Sequence, residues 1–388
     1  MSFCSSERFK QGFSGFVDSF AAFVHSRGLS FYQPPWQQQP HHDNSEPSSS
    51  SFVLPAVGRL VAIGDLHGDL DKTKRVLRLG GLTDEDNAWV GGTAVVVQVG
   101  DILDRGDEEV AINYFLERLR REAERAGGAV HVLNGNHEII NAGHRFRYAT
   151  EGGAADFTRW QSMERLRHRL KSHCGCCASK EPQKGLGSLA DVDPEWEARA
   201  LALSPGGAFT KQFFAHRPVI LQIGCSVFVH GGLLPDHIEY GTDRINQETS
   251  AWLQGHNVDA TYKQLPLLAH RHSPVWTRKY SQQTTQENCE VLAQALGSIP
   301  GARRMIVGHT IQAGGISSAC EGSVFRVDVG VSKGCGDKEP EVLEIRDDSD
   351  VFRLAETSKP ELISTSHAGS CWERLTAVCR QFSEGLRM

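Results

Sequence analysis

Five short motifs in this sequence place aspartate, histidine or asparagine beside glycine. They are Gly64-Asp65-Leu66-His67-Gly68-Asp69, Gly100-Asp101-Ile102-Leu103-Asp104-Arg105-Gly106, Gly135-Asn136-His137-Glu138, His230-Gly231-Gly232 and Gly308-His309-Thr310. Each motif follows a short apolar run that predicts a buried strand, and ligands of open α/β sheets gather outside the carboxyl ends of the strands. Their carboxylate, imidazole and amide donors suit Mn, Fe or Zn, whereas thiolates select softer metals. The motifs therefore predict a metal site assembled from five strand ends.

The donor set divides into two ion sites that share one carboxylate. One ion can be held by Asp65, His67 and Asp101. A second can be held by Asp101, Asn136, His230 and His309, so that Asp101 bridges the two. Two ions about 3.5–4 Å apart can share a hydroxide and stabilise both oxygens of an in-line displacement. Two divalent ions, two carboxylates and one hydroxide leave a net charge of about +1, which attracts a phosphate dianion.

Four further residues are candidates for the chemistry at the phosphate. His137 follows the ligand Asn136 and is placed to protonate the leaving oxygen, while Asp104 can orient and charge-stabilise that imidazole. Arg105 offers a planar fork for phosphate oxygens, a geometry that Lys lacks. Arg278, at the end of the run Pro-Val-Trp-Thr-Arg, is the candidate for a second clamp.

The motifs require strands and helices in alternation. Buried strands are predicted at residues 60–63, 94–99 and 130–133, with helices at 70–79 and 108–126 between them. This β-α-β-α-β order implies right-handed crossovers and parallel strands. A hairpin is expected at 218–229, and short strands at 305–307, 324–329 and 342–345. Residues 151–215 resemble an irregular, polar and partly helical insertion.

The composition indicates a large globular chain and excludes several classes. The 388 residues carry 41 Lys plus Arg against 47 Asp plus Glu, a net charge of −6, so the basic footprint of a general nucleic-acid binder is missing. No apolar run approaches the roughly 18 residues that a membrane-spanning helix needs. Ten cysteines are too sparse and irregular for a disulfide scaffold, and a reducing compartment is the default expectation. The cluster Cys174, Cys176 and Cys177 has no special role in the simplest interpretation, with redox control or zinc binding as alternatives.

The two ends of the chain differ from the part that carries the motifs. A predicted N-terminal helix has an apolar stripe formed by Phe9, Phe13, Phe16, Phe20 and Phe23. Such a stripe packs on its own domain, docks a partner or a membrane surface, or serves as an import signal. We expect this helix and a disordered linker at 1–52, one catalytic domain at 53–346, and a tail at 347–388.

The motif series resembles the phosphoprotein phosphatase family of binuclear metallophosphoesterases over about residues 56–346. The closer similarity is to the plant Shewanella-like phosphatases of the second type, and it is carried by residues 96–109, 133–143, 227–241, 275–278, 304–312, 327–335 and 340–345. The resemblance implies an α/β fold of the calcineurin-like metallophosphoesterase class, a β-sandwich flanked by helices. It implies the same six metal ligands, the same phosphate contacts at Arg105, His137 and Arg278, and a preference for phosphotyrosine.

Three functions follow from these motifs. The first is a phosphoprotein phosphatase in which a hydroxide bridging two metal ions attacks the phosphomonoester directly, with Mn as the expected activator in vitro and Fe or Zn as alternatives. The second is a dinucleoside tetraphosphate hydrolase, which uses similar motifs. The third is a catalytically silent scaffold, which the complete set of ligands argues against. The resemblance suggests the cytosol or the mitochondrial intermembrane space as the compartment.

Overall fold

Two six-stranded β-sheets pack face to face at the centre of the computed structural model, which describes residues 7–28, 52–173, 192–256 and 265–365. In chain order the strands are β1 (Val53–Leu54), β2 (Arg59–Ile63), β3 (Val95–Gln98), β4 (Ala129–Val132), β5 (Ile220–Ile223), β6 (Ser226–Val229), β7 (Arg304–Val307), β8 (Ser317–Ala319), β9 (Val324–Arg326), β10 (Glu341–Arg346), β11 (Asp350–Ala355) and β12 (Glu361–Ser364). The helices are α1 (Glu7–His25), α2 (Leu70–Leu79), α3 (Glu109–Arg125), α4 (Asn136–Ala142), α5 (Glu151–His173), α6 (Glu197–Leu203), α7 (Pro235–Tyr240), α8 (Thr242–Leu253), α9 (Pro266–Ala269) and α10 (Gln286–Gly297).

The first sheet carries the first three motifs and has the strand order β12-β11-β10-β2-β3-β4. Strands β2, β3 and β4 are parallel, and β10 runs antiparallel to β2. Helices α2 and α3 are the crossovers between the parallel strands. The predicted β-α-β-α-β order is therefore confirmed, and the three motifs leave the sheet at one edge because the carboxyl ends of parallel strands lie together.

The second sheet carries the last two motifs and has the order β1-β5-β6-β7-β9-β8. Strands β5 and β6 form the predicted hairpin, and β6, β7 and β9 are parallel. The strand predicted at 324–329 is shorter, because the chain leaves the ladder after Arg326 and passes over the end of β2. A Cβ on Gly64 would lie 2.2 Å from the carbonyl oxygen of Val327, so this close approach requires glycine.

The central strands β5, β6 and β7 of the second sheet are buried on both faces. Phe228 and Ile306 belong to the core between the two sheets. Val229 and Val307, one residue further along their strands, pack instead with Trp160 and other side chains of a helical layer. Because successive strand residues point to opposite faces, this alternation divides the apolar side chains between two cores.

Residues 151–215 are more regular than the sequence indicates. Helix α5 has 23 residues. A 3₁₀ turn at Pro194–Trp196 leads into α6, and a π-helical turn at Thr210–Phe214 comes after α6. Phe157 and Phe209 are fully buried, with ring centroids 5.1 Å apart. The expected helical content is therefore confirmed, whereas the expected irregularity is wrong for these described parts, which supply eight of the 29 buried residues of the second core. The Cys174–Cys177 cluster and the predicted linker at 33–51 lie outside the described residues.

Helix α1 packs on α5 and α3 of the same chain, but with a different face from its phenylalanine stripe. Val17 and Ala21 are each 3% exposed, whereas Phe20 and Phe23 are 45% and 42% exposed. Asp18 pairs with side chains of α5 at 2.6 and 2.8 Å. The stripe establishes an amphipathic helix, yet the small residues beside it permit the closer packing. Docking to a partner or a membrane surface stays a prediction, and no helix among the described residues is long and apolar enough to cross a bilayer.

The sheet continues beyond residue 346, where the sequence places the start of a tail. Strand β11 pairs with β10, and β12 pairs with β11, so ordered structure reaches Ser364. Asp347 and Asp348 form the turn with φ of 51° each, a conformation that aspartate tolerates better than most residues. The polar residues after 346 therefore belong to an exposed edge of the sheet rather than to a tail.

A disulfide also departs from the expectation of reduced cysteines. It joins Cys289 on α10 to Cys320, which follows β8 directly, with Cα atoms 5.3 Å apart. The chain between the two cysteines contains β7 and the last motif, so the bond closes a loop around part of the site.

Candidate metal centre and active site

Asp101 lies at the centre of the five strand ends and belongs to two groups of metal-binding atoms. The first group is Asp101 with His67 and His137, and the second is Asp101 with His230 and His309. Within each group the ligand atoms lie within 4.8 Å of one another, and every member is buried. The structure thus brings four of the six predicted ligands into two groups joined by the carboxylate that the sequence predicts as a bridge.

Each of the three predicted histidine ligands uses one ring nitrogen on the backbone. Nδ1 of His67 donates to the carbonyl of Leu103 and Nδ1 of His230 to that of Val99, both at 2.9 Å, while Nε2 of His309 donates to a carbonyl at 3.1 Å. The other nitrogen of each ring therefore faces the centre, where it can offer a lone pair to a metal ion. Burial, followed by the neighbouring His137, lowers the pKa of His67 to about 3, and burial with His230 lowers that of His309 to about 2. Both rings are consequently neutral at pH 7, which is the form that binds metals.

The surroundings of His230 show that a cation fits this site. Its Nε2 lies 2.8 Å from Oδ1 of Asn136 and 3.1 Å from Oδ2 of Asp101. With the ring proton on Nδ1, three lone pairs face one another in a buried space, and Nδ2 of Asn136 has no hydrogen-bond partner. Such an arrangement is costly without positive charge between the donor atoms.

Asp65 lies beside the first group and also indicates that a cation fits this site. Its carboxylate accepts the backbone N–H of His309 at 3.2 Å and lies 4.0 Å from Nε2 of His67. Burial, and then the charges of Asp328 and Asp101, raises the pKa of Asp65 well above its ordinary value. Divalent ions would remove this repulsion, and carboxylate, imidazole and amide donors suit Mn, Fe and Zn alike.

His137 lies beside the metal ligands and is held by Asp104. Its Nδ1 donates to Oδ2 of Asp104 at 2.5 Å, its ring is 4.7 Å from that of His67, and its Nε2 is 3.7 Å from Oδ2 of Asp101. Burial lowers the pKa of His137, but the charge of Asp101 and the hydrogen bond to Asp104 outweigh burial and raise it above its ordinary value. When His137 is protonated, its second proton lies on Nε2 at the side of the metal groups, where a leaving oxygen would need it.

The predicted phosphate clamp Arg105 is half-buried next to an aromatic side chain. Its backbone N–H donates to the carbonyl of Tyr148 at 2.9 Å, and its guanidinium lies 5.5 Å from the centre of the Tyr148 ring. Its Nη1 lies 3.1 Å from Sγ of Cys335. The ring of Tyr148 is also 5.0 Å from that of His137, so one aromatic side chain borders both the acid and the clamp.

Arg278, the second predicted clamp, lies beside the other end of the centre. Its Nη1 donates to the carbonyl of His309 and to Oγ1 of Thr310, both at 2.8 Å. Arg278 is thus next to a metal ligand, although it comes from a different part of the chain. Its contact with the phosphate stays a prediction.

The backbone of this site is locally strained. Five of the ten predicted site residues have positive φ, namely His67 (41°), Asp101 (60°), Asp104 (71°), Arg105 (66°) and His309 (66°). Each such residue costs of order 1–3 kcal/mol and persists only where the surrounding structure requires it. The concentration of these residues at the centre is typical of functional sites.

Glu138 is a residue whose role the sequence does not reveal, although it ends the third motif. Its buried carboxylate accepts the backbone N–H groups of Gly135 at 2.8 Å, Asp101 and Ile102 at 2.9 Å, and Leu103 at 3.2 Å. One side chain thereby fixes the loop that carries Asp101 to the loop that carries Asn136. Burial and the charge of Asp101 raise the pKa of Glu138 above its ordinary value.

Comparisons with known proteins agree with this geometry. The model of the family described as calcineurin-like phosphoesterase matches residues 58–313. The chain is 44% identical to Shewanella-like protein phosphatase 2 of Arabidopsis thaliana, over 87% of this chain and 85% of the relative. It is 26% identical to Shewanella-like protein phosphatase 1 of Plasmodium berghei, over 75% of this chain and 72% of the relative. In fold it is similar to a solved cold-active protein tyrosine phosphatase, with a TM-score of 0.59, 22% identity and 80% of each chain covered.

Proposed function

Because the chain belongs to the calcineurin-like phosphoesterase family, in its Shewanella-like protein phosphatase branch, we propose that it is a metal-dependent phosphoprotein phosphatase. The observation that carries the proposal is the pair of buried donor groups that share Asp101, with His137 and Arg105 beside them. Pairs of metal ions bridged in this way serve the hydrolysis of phosphate esters.

The residues that would hold the two ions are those that the sequence predicts. Asp65, His67 and Asp101 would hold one ion. Asp101, Asn136, His230 and His309 would hold the other. When bound, the ions supply a nucleophile from water at neutral pH and stabilise the charge of the transferred phosphoryl group. The donor set accepts Mn, Fe or Zn, and metal analysis of protein purified without added metal would identify the ion.

The remaining site residues would bind the phosphate and move a proton. Arg105 and Arg278 lie on different sides of the centre, and each would direct N–H groups at phosphate oxygens. Nε2 of His137 would give its proton to the leaving oxygen as the ester bond breaks, with Asp104 keeping Nδ1 protonated and the ring oriented. Water would take the phosphoryl group directly, without a covalent bond between the phosphate and the protein.

Tyr148 supports a preference for phosphotyrosine. Its ring borders His137 at 5.0 Å, and the guanidinium groups of Arg105 and Arg147 lie 5.5 and 4.4 Å from its centre. A phenyl ester entering the centre would pack its ring against this aromatic surface, whereas a phosphoserine would leave the surface exposed to water. We therefore infer that phosphotyrosine is hydrolysed more efficiently than phosphoserine.

A substrate panel tests the proposal. We expect a phosphotyrosine peptide to give the highest kcat/KM, a phosphoserine peptide of the same sequence a lower one, and diadenosine tetraphosphate little turnover.

Chelation should abolish activity and Mn should restore it. Asp101→Asn, in which asparagine tolerates the positive φ, should lose bound metal and turnover together. Hydrolysis of the dinucleotide alone would instead identify a dinucleoside tetraphosphate hydrolase, and equal rates for wild type and Asp101→Asn would contradict the metal mechanism.

The disulfide bears on the compartment. Disulfides persist in oxidising compartments and are rare in the cytosol, where thiols are kept reduced. Of the two predicted compartments, we therefore propose the mitochondrial intermembrane space. Trapping of thiols at the moment of cell lysis, followed by mass analysis of the peptides of Cys289 and Cys320, tests this: the proposal requires the two cysteines to be oxidised in the cell.

A further inference from the structure

Arg199 on α6 is fully buried behind the active site, at a distance in sequence from every motif. Its side chain has an exposed fraction of 0%. Charged side chains are almost never buried to this extent unless they are paired. The guanidinium of Arg199 is paired on every edge: Nε donates to Oδ1 of Asn141 at 2.9 Å, Nη2 donates to Oδ1 of Asp104 at 3.0 Å, and both Nη atoms donate to the carboxylate of Glu109.

The contact with Asp104 connects Arg199 to the proton donor. Arg199 binds Oδ1 of Asp104, while Oδ2 of the same carboxylate accepts Nδ1–H of His137 at 2.5 Å and Nδ2–H of Asn141 at 2.9 Å. Both carboxylate oxygens of Asp104 therefore accept hydrogen bonds from the protein. The carboxylate of Asp104 orients the imidazole of His137, and the carboxylate is itself held by Arg199 on Oδ1 and by Asn141 on Oδ2.

The packing around Arg199 holds the guanidinium in one position. The ring of Phe157 lies 4.9 Å from it and that of Phe146 5.8 Å. A Cβ on Gly153 would come within 3.3 Å of Nη1, so glycine leaves the room that the arginine occupies. An ion pair that only joined α6 to α3 would need Glu109 alone. The planar fork of Arg199 extends past Glu109 to Asp104 and Asn141, which a lysine could not match.

We propose that Arg199 is a positioning residue for proton transfer: it holds Asp104 so that Nε2 of His137 points at the leaving oxygen of the substrate. The inference rests on the proposed function, in which His137 is the general acid. In that reaction the oxygen of a water bonds to phosphorus and the bond to the leaving oxygen breaks. Nε2 of His137 gives its proton to the leaving oxygen, and a proton of the attacking water passes to the solvent.

The dependence of the rate on the leaving group separates this role from a structural one. A good leaving group departs as an anion and needs little help, whereas phenol requires a proton in the transition state. We compare kcat for dinitrophenyl, p-nitrophenyl and phenyl phosphate in wild type and Arg199→Met. The variant should lose about 10–100-fold with phenyl phosphate and less than about 3-fold with dinitrophenyl phosphate, with KM nearly unchanged. Its metal content should equal that of the wild type, because Arg199 contacts none of the six predicted ligands.

Two controls complete the experiment. Arg304→Met removes another buried arginine, which is 4% exposed, paired with Asp348 and located at the start of β7, at the end of that strand opposite to the last motif. It should leave the ratio of dinitrophenyl to phenyl phosphate rates unchanged even where it lowers stability. His137→Gln should raise that ratio more than Arg199→Met does. If His137→Gln leaves the ratio unchanged, the acid role in the proposed function fails.

If His137→Gln raises the ratio and Arg199→Met loses activity equally with all three esters, the role of Arg199 alone is overturned. Should Arg199→Met not yield folded protein, the same ratio is measured with Arg199→Lys. A lysine cannot bind Glu109, Asp104 and Asn141 together, so the ratio should rise several-fold. A ratio equal to that of the wild type would overturn the inference.

Discussion

At the scale of single residues, the site depends on side chains that spend one polar atom on the protein and present another to the substrate or the metal. The histidines do so through their two ring nitrogens, whereas Asp104 uses both of its oxygens on the protein, one on His137 and the other on Arg199. A carbonyl or a carboxylate behind each ring determines which nitrogen carries the proton. The function of each histidine is therefore set by a hydrogen-bond partner that lies far from it in the sequence.

Asp104→Asn should change the pH dependence of turnover. Asp104 raises the pKa of His137 through its hydrogen bond and charge, against the effect of burial, so the amide should let that pKa fall. A general acid acts when protonated, and the rate therefore declines as pH rises through the pKa of the acid. We expect the alkaline limb of kcat for phenyl phosphate to move to lower pH. We also expect kcat to drop about 10²-fold.

The matched control for this change is Asp107→Asn, which alters an exposed aspartate three positions further along the same loop. Asn tolerates the positive φ of position 104, so the backbone should be preserved in the test variant. An alkaline limb that stays in place, or moves to higher pH, would contradict the assignment of His137 as the acid.

The residues that no motif reveals share one property, namely partners remote in sequence. Arg199 binds Glu109 and Asp104 across 90 and 95 positions, and nothing near it in the chain marks it as more than one residue of a short helix. The metal ligands, by contrast, stand next to the glycines of their own strand ends. Local motifs therefore predict the groups that meet the metal, whereas the groups that hold them in place become visible only in the folded chain.

At the scale of elements, Glu138 joins two strand ends into one unit. Four backbone N–H groups converge on its carboxylate, from the loops after β3 and β4. Glu138→Gln replaces one acceptor oxygen by an amide that faces these donors. We expect unfolding free energy to fall by about 3 kcal/mol, because buried hydrogen bonds to a charge are lost and donors are left unpaired. Metal affinity should fall about 10–100-fold, since the loop of Asp101 is loosened.

Urea unfolding and metal titration measure these two effects. Glu124→Gln, an exposed position near the end of α3, is the control and should change neither quantity. Loss of stability with unchanged metal affinity would show that the Asp101 loop holds its shape without Glu138.

Helix α1 allows a second test at this scale, because its two apolar faces have different surroundings. Val17→Ser places a hydroxyl in the contact with α5 and should cost about 2 kcal/mol. Phe20→Ser changes a side chain that is 45% exposed and should stay within about 0.5 kcal/mol of the wild type. Urea unfolding compares the two. A larger loss for Phe20→Ser would mean that its face is covered in solution.

The sequence predicts some helices better than others, and the difference has a physical reason. The bounds of α2 are those expected, since it has an apolar face of regular spacing and Asp69 caps its first turn through the N–H of Lys72. Helix α5 buries residues only in its first part, around Phe157 and Trp160, and Leu166 and Leu170 in its second part are exposed. It packs on α1, α3 and α6 and on aromatic residues of the following segment rather than through a continuous stripe, so periodicity could not reveal that residues 151–215 complete a core.

At the scale of the whole molecule, the net charge of −6 coexists with a site for an anion. Arg105 and Arg278 lie beside the centre, and the donor groups would hold two divalent ions whose charge the composition does not count. The surface can therefore remain acidic while the centre attracts phosphate.

The disulfide acts at the same scale, because it links α10 to the end of β8, an edge strand of the second sheet. Cys289 and Cys320 are separated by 31 positions, and closing a loop of this length restricts the unfolded chain. The chain-entropy relation gives a stabilisation of about 3–4 kcal/mol.

The double variant Cys289→Ser/Cys320→Ser should lose this amount of unfolding free energy in urea unfolding under oxidising conditions. Because β7 is held in the sheet by its pairing with β6 and β9, His309 should keep its place at 25 °C, and kcat should change less than about 2-fold. The single variant Cys289→Ser is the control that separates loss of the bond from loss of the second thiol, and it should match the double variant in stability. A large fall in kcat with little loss of stability would show that the bond shapes the active site directly rather than the fold as a whole.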